Sequence, residues 1–507
     1  MWDRLLLVIV LFTLCWPAQA AEPYGMVETP DTLVLSLDGA VRIALENNLN
    51  LRAEAYDTRA SQALVRKGYG LYDPLAQADL ALGEGQEYLN QEFLIISESR
   101  GFRRYNFSLL QKLPTGADLT LGFRNQRTEA PSELDFDDVY ETELGLSMVQ
   151  PLLQGFGPTV TEQEILFAVK DREIAVQDLR DLAFAILGDV RDSYFEVLRL
   201  RDNLAYRETS VALAAKILAE NRARVRAGVL PPVDVLEAEF GLKQRERDRL
   251  DAERLYQDGL DQLALLLSSK RPVAVADETL GQPALVTDSE LALSLALIKR
   301  PDVQRRQREI ERLALQKRIA RNGMLPNLDL VASYAHEGTA DSYSDDLDQV
   351  WSGDNPTWEV GVTFSYPLGN RTARHEYRRT LLQMKGIEAQ LAQLKEEVRQ
   401  EIRAAIRLLE VSRKKIDVTA SGLSFAEEKL RILLKRQEVG LATTRQVLEG
   451  EEDLAAAQTD WTAALADYNK AITRYYQVSG TLLDEARVRF AGDLDDEAYP
   501  LLQLEKP

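Results

Sequence analysis

The stretch 190–225, VRDSYFEVLRLRDNLAYRETSVALAAKILAENRARV, decides the fold. Val190, Val197, Leu204, Val211, Leu218 and Val225 stand at a strict interval of seven residues. That spacing keeps one apolar seam turned toward a partner helix along a coiled coil. Residues 402–430, IRAAIRLLEVSRKKIDVTASGLSFAEEKL, repeat the interval at Ile402, Leu409, Ile416, Leu423 and Leu430. Ile402 follows Val190 by 212 residues, so the two seams share one register. Three residues after the apolar positions of the second seam come Ala405, Ser412, Thr419 and Ala426, small side chains that let neighbouring helices approach closely. At 1.5 Å per residue, a first helix from about 159 to 227 is roughly 100 Å long, more than a compact domain needs.

Outward from the seams, the chain contains itself twice. Leu37-Asp38-Gly39-Ala40 through Ala44-Leu45 recurs 252 residues later as Ser289-Glu290-Leu291-Ala292 through Ala296-Leu297, and Tyr72-Asp73-Pro74 matches Met324-Leu325-Pro326 at the same offset. Gln150-Pro151-Leu152 matches Tyr366-Pro367-Leu368 at an offset of 216, and Gly228 with Val235-Leu236-Glu237 matches Gly440 with Val447-Leu448-Glu449 at 212. Four landmarks in one order mark an internal duplication. The drop from 252 to 216 inserts 36 residues in the first half, between Pro74 and Pro151.

Between the helices the period falls from seven to two. Trp358, Val360, Val362, Phe364 and Tyr366 alternate with polar or small residues, and Leu328, Leu330, Ala332 and Tyr334 supply a partner strand. Leu144, Leu146 and Met148 correspond to the former, and the segment after Pro74 to the latter. The insertion holds Tyr105, Phe107 and Leu109, a Pro114-Thr115-Gly116 turn, then Leu119, Leu121 and Phe123, which spells another hairpin. Alternating segments of about ten residues with aromatics near their ends are the pattern of a transmembrane β-barrel. A soluble sandwich is the other reading, but so few strands leave exposed edges, which a barrel closed from several chains removes.

The N-terminus points to export. Arg4 precedes the apolar run 5–16, followed by Pro17 and Ala18-Gln19-Ala20, a signal-peptide pattern with cleavage expected after Ala20. The run is too short for a membrane span of about 20 residues. Cys15 follows Leu14, a bulky residue ill suited to a lipidation site, and cleavage removes the only cysteine. Composition excludes other classes: 61 Lys and Arg against 81 Asp and Glu give a net charge of −20, a poor match to nucleic-acid phosphates. One Cys and the two histidines, His336 and His375, cannot build a zinc cluster. Gly83-Glu84-Gly85 lacks the third glycine and the helix of a nucleotide fingerprint. We expect no catalytic residues, no cofactor, no metal and no nucleic-acid partner.

The ordered duplication resembles the TolC family of outer-membrane efflux and secretion channels. The resemblance is carried by residues 37–51 leading to Pro74, by 289–303 leading to Pro326, by the strand exits at Pro151 and Pro367, and by the turns at Gly228 and Gly440. It spans about residues 35–483. It implies a mainly α fold with β: long coiled-coil hairpins forming a periplasmic tunnel, and strands contributed to a trimeric outer-membrane barrel. The expected division is a signal peptide 1–20 and an N-terminal segment 21–35. A first repeat 36–288 holds strands in 75–150, helices of about 159–227 and 232–267, and the linker 268–288. A second repeat 289–483 holds strands in 328–366 and helices of about 371–437 and 443–480, before an acidic tail 484–507. The linker and tail form a belt by resemblance; a solvated end is the other reading of the tail. Two strands per half is the family pattern, so the inserted hairpin departs from it and either widens the barrel or projects from it.

By the same resemblance, the protein is a passive homotrimeric exit duct of a tripartite efflux pump or type I secretion system. Its partners are then a periplasmic adaptor, or membrane fusion protein, and an inner-membrane transporter; the alternative is itself a periplasmic coiled-coil adaptor or a structural envelope protein. The turns Arg226-Ala227-Gly228-Val229 and Glu438-Val439-Gly440-Leu441 are candidate docking tips, centred on Arg226, Gly228, Val229, Val439, Gly440 and Leu441, although a glycine there is also an ordinary helix cap. Asp234 and Glu237, matched by Gln446 and Glu449, are candidate gate residues whose inward carboxylates would ring the axis. The other reading places these acids on the helix surface, with Glu449 pairing Arg445.

Overall fold

The computed structural model describes residues 32–91, 94–129, 138–490 and 502–504. The signal-peptide pattern, Cys15 and the acids Asp493, Asp495, Asp496 and Glu497 lie outside the described residues. The first half runs β1 (Leu33–Leu35), α1 (Leu37–Asn47), α2 (Leu49–Tyr69), a 3-10 turn, β2 (Leu75–Gln91), β3 (Leu94–Lys112), β4 (Asp118–Thr128), β5 (Val139–Pro151), α3 (Pro158–Thr161), α4 (Gln163–Arg226), α5 (Val233–Leu266) and β6 (Val273–Val275). The second runs α6 (Ser289–Lys299), α7 (Pro301–Asn322), β7 (Asn327–Ala340), α8 (Tyr343–Ser352), β8 (Pro356–Ser365), α9 (Arg371–Glu438), α10 (Thr444–Val478), α11 (Leu482–Glu485), β9 (Val488–Phe490) and β10 (Leu502–Leu504). The fold is thus mainly helical, duplicated, and carries one large sheet. Polar caps set several helix starts: Ser36 accepts the Gly39 amide at 3.2 Å, Asn48 those of Asn50 and Leu51, and Asp288 those of Glu290 and Leu291.

The sheet has six strands in the order β2-β3-β4-β5-β7-β8, antiparallel throughout. Directly paired residues share a face. One row crosses all six strands as Ala76, Leu109, Leu121, Leu146, Tyr334 and Trp358, and a row three residues further on, on the opposite face, runs Asp79, Asn106, Arg124, Glu143 and Glu337. One face is therefore apolar and solvent-facing in the isolated chain, the other polar. This is the inversion that a lipid-facing barrel wall requires. Polar pairs end the apolar band at its outer rim: Arg103 with Glu129 at 3.0 Å and Arg127 with Asp138.

Within 328–366 the sequence reading expected strands alone, whereas the structure puts the helix α8 between β7 and β8. Ser342 caps it by accepting the Asp345 amide, and Gly353 ends it at φ 74°, a left-handed conformation that favours glycine. The helix folds back over the rim of the apolar face. Asp346 is fully buried there, its carboxylate accepting the Thr142 amide at 3.2 Å and the Thr142 hydroxyl. Glycine at 338 is a consequence, since a Cβ would lie 2.2 Å from the Asp346 carbonyl oxygen.

Midway along the helices lies the main core, built from Val190, Tyr194 and Val197 of α4, Leu263 of α5, Leu409 and Ile416 of α9, and Tyr468 and Ile472 of α10. The linker straps across it: β6 pairs in parallel with β1, the Tyr194 hydroxyl donates to Glu278 at 2.8 Å, and the Tyr468 hydroxyl donates to the Pro283 carbonyl at 2.7 Å. Each buried phenol thus finds an acceptor, as burial demands.

Candidate functional site

The two long hairpins, α4–α5 and α9–α10, turn at the end of the molecule remote from the sheet, and their turns are copies. The Gly228 amide bonds to the Val225 carbonyl and the Val229 amide to that of Arg224; 212 residues on, Gly440 bonds to Gln437 and Leu441 to Arg436. These paired bonds, with glycine at φ 71° and 76°, are Schellman caps. Such a cap usually buries the residue after the glycine against the helix. Here Val229 and Leu441 stay 70% and 68% exposed, and Val439 beside them is 70% exposed. Apolar side chains held outward on rigid turns form the tips, flanked by the exposed Arg226.

Behind the tips a small core of Ile217, Leu218, Ala238, Leu430 and Val447 joins all four helices. Small residues allow the approach: a Cβ on Gly241 would reach Leu448 at 2.8 Å, and one on Gly450 would reach Leu433 at 2.6 Å. Polar bonds then cross from hairpin to hairpin. Buried Asn221 of α4 donates to the Thr444 hydroxyl at 2.8 Å and to the Asp234 carbonyl at 3.2 Å. Arg224 donates to the Gln437 carbonyl at 3.0 Å, placing a cation at the negative end of α9. Further in, the Glu451 carboxylate accepts from Arg245 Nε at 2.7 Å and from the Ser210 hydroxyl, while Arg245 Nη2 donates to the Leu448 carbonyl at 2.9 Å. The Arg245 and Glu451 side chains are 8% and 5% exposed. This triad ties α4, α5 and α10 together.

Asp234 is half-buried in the first turn of α5, while Glu237 is exposed one turn on. Gln446 is spent on a capping box: its side chain accepts the Thr443 amide at 3.0 Å, and its amide donates to the Thr443 hydroxyl at 3.2 Å. Glu449 accepts from Arg445 at 2.9 Å. The Arg445 guanidinium is pushed above its ordinary pKa by this hydrogen bond, by the charge of Glu449, and by that of Glu237. Glu237 of one hairpin and Glu449 of the other therefore face a single cation, Arg445, whose counterpart 212 residues earlier is Val233.

Sequence reading missed the Arg245–Glu451 pair, because its members are 206 residues apart and Arg245 has no equivalent in the other repeat, where Ala457 stands 212 residues on. It also missed a second seam. Val411, Val418, Phe425 and Ile432 recur at seven-residue intervals on α9, yet are exposed. Val233, Leu236 and Phe240 make a similar exposed stripe on α5, with Phe240 73% exposed. The seven-residue interval was the available signal.

Residues 117–269 and 292–481 match the family model described as outer membrane efflux protein. The outer membrane efflux protein BepC of Brucella suis biovar 1 (strain 1330) is 24% identical over 347 residues, 67% of this chain and 71% of BepC. Among solved structures, the outer-membrane channel OprN superposes with a TM-score of 0.64 at 17% identity, covering 88% of this chain and 90% of that one. The CmeC outer membrane channel of Campylobacter jejuni superposes at 0.62 with 13% identity, covering 91% of both chains.

Proposed function

The chain belongs to the outer membrane efflux protein family, and from that premise we propose that it is the passive exit duct of a tripartite pump or type I secretion system. It is an outer-membrane channel and not an enzyme. Three copies close one barrel and one helical tunnel, a periplasmic adaptor docks at the tips, and an inner-membrane transporter supplies the energy. The observation that carries this reading is the second seam of α9, exposed among the described residues. A stripe of exposed apolar residues at heptad spacing, 62% to 72% exposed over Val411, Val418 and Phe425, is satisfied only by another helix laid along it. Among the described residues the outer edges of β2 and β8 are unpaired, and they ask for the same partner, a second copy.

In this reading Val229, Val439 and Leu441 are the adaptor's apolar contact, with Arg226 at its rim and Gly228 and Gly440 shaping the turns. The gate is the group Asp234, Glu237 and Glu449, with Gln446 fixing the start of α10. Arg445 lowers the charge of that ring to about −2 per chain, so cation preference is moderate. A periplasmic adaptor has no use for a six-stranded sheet with a lipid-facing side, which favours the duct. The test is heat-modifiable migration of the protein from outer membranes together with an export assay in a deletion strain. A monomeric, soluble protein, or export unchanged by deletion, would refute it.

A further inference from the structure

We infer that the inserted hairpin β3–β4 is part of the barrel wall, so that three copies close an eighteen-stranded barrel. The inference rests on the trimeric reading above and concerns how many strands each chain contributes. Four strands per chain, two from each half, would give twelve in a trimer. Here β3 and β4 lie between β2 and β5 in one continuous sheet, with β3 pairing β2 along residues 75–91 and β4 along 118–128.

Three features place the hairpin in the wall and exclude a projection from it. First, its base is built into the junction between sheet and helices. The Thr115 carbonyl accepts from the Gly157 amide at 3.0 Å, the Thr115 hydroxyl donates to Gln150 at 2.7 Å, and Gln111 donates to the Tyr72 carbonyl at 2.8 Å. Gly116 adopts φ 94°, and a Cβ there would stand 2.5 Å from the Gly155 carbonyl oxygen. The turn is thus wedged between the strand entry at Tyr72 and the strand exit beyond Gln150. Second, the apolar row from Ala76 to Trp358 passes through Leu109 and Leu121 without interruption. Leu109 is 44% and Leu121 47% exposed; in a hairpin standing in water these side chains gain nothing, whereas in a wall they meet lipid. Third, the opposite face of the hairpin is polar, with Asn106 and Arg124 continuing the row that holds Glu143 and Glu337.

The two free edges fit each other. β2 runs away from the helices and β8 runs back to them, so β8 of one copy meets β2 of the next antiparallel, and an even number of strands keeps that alternation around the ring. With strands about 4.8 Å apart and tilted about 40°, twelve strands give a ring about 24 Å across and eighteen about 36 Å. The barrel is then about 1.5-fold wider.

The test uses the full-length protein with Cys15→Ser. Val360→Cys on β8 is combined in turn with Ala76→Cys, Ala78→Cys or Leu80→Cys on β2, and separately with Leu121→Cys on β4. Oligomer mass in mild detergent is measured before oxidation. At least one β2 pair is expected to give a covalent trimer, and the β4 pair none. A monomer would overturn the trimeric reading and this inference with it. A trimer linked through the β4 pair, or through no β2 pair, would overturn the strand count alone. Electron microscopy of the unsubstituted trimer supplies a second measurement: eighteen strands around the ring support the inference, and twelve overturn it.

Discussion

Removing the Glu451 carboxylate tests how the hairpins are held together near the tips. In Glu451→Ala, Arg245 keeps its hydrogen bond to the Leu448 carbonyl but loses its counter-ion in a site where its side chain is 8% exposed. Stranding a buried charge in this way costs about 3 to 5 kcal/mol. The Ser210 hydroxyl also loses its acceptor, a further cost on the order of 1 kcal/mol. The loss is local, because the triad joins α4, α5 and α10 without touching the core around Tyr194 and Tyr468. Amide hydrogen exchange around 238–255 should therefore accelerate by at least about a hundredfold, the equivalent of roughly 3 kcal/mol, while amides near 190–200 stay protected. The pair Glu451→Leu with Arg245→Met removes both charges and fills the space, so exchange should return to within about tenfold of the parent. If the single and double variants exchanged alike, or if Glu451→Ala changed exchange less than about fivefold, the triad would not be a desolvated lock.

Replacing Val229 and Leu441 with Asp places charge on the exposed tips, and export should fall to background while trimers still form; unchanged export removes the docking assignment. Asp234→Ala with Glu449→Ala should lower cation preference in planar bilayers, and Arg445→Ala alone should raise it, since it unmasks Glu237 and Glu449; identical selectivity in all three proteins would assign these groups to the helix surface. Burial pushes the Asp192 carboxyl up to about 6, against the opposing pull of Lys470. Its contribution to stability is then full below about pH 4 and lost as the pH rises through 6. Asp192→Asn should accordingly be more stable than the parent at pH 8, by about 1 to 2 kcal/mol after allowing for solvent screening. That gain should vanish below about pH 4, and a gain equal at both pH values in thermal melts would contradict the assignment.

Periodicity made much of this protein legible in its sequence. A seven-residue seam, a two-residue alternation and a glycine after a long helix are local patterns, and each dictates backbone geometry over a few turns whatever the rest of the chain does. The duplication then multiplied the signal, since Gly228 and Gly440 mark the same turn. Tertiary structure alone decided which of the two α9 seams is covered, because Ile402–Leu409–Ile416 and Val411–Val418–Phe425 have the same spacing and, among the described residues, only the first is buried. It alone joined Arg245 to Glu451, and brought Glu237 of one hairpin within reach of the charge of Arg445 on the other, across separations that no local rule connects. Strand order beyond the β3–β4 and β7–β8 pairs was likewise outside the reach of the sequence. Alternation shows which residues share a face of one strand, but the neighbour of that strand is set by hydrogen bonds to distant backbone. The inserted hairpin thus became part of one continuous sheet only when the chain closed β4 onto β5 and β3 onto β2.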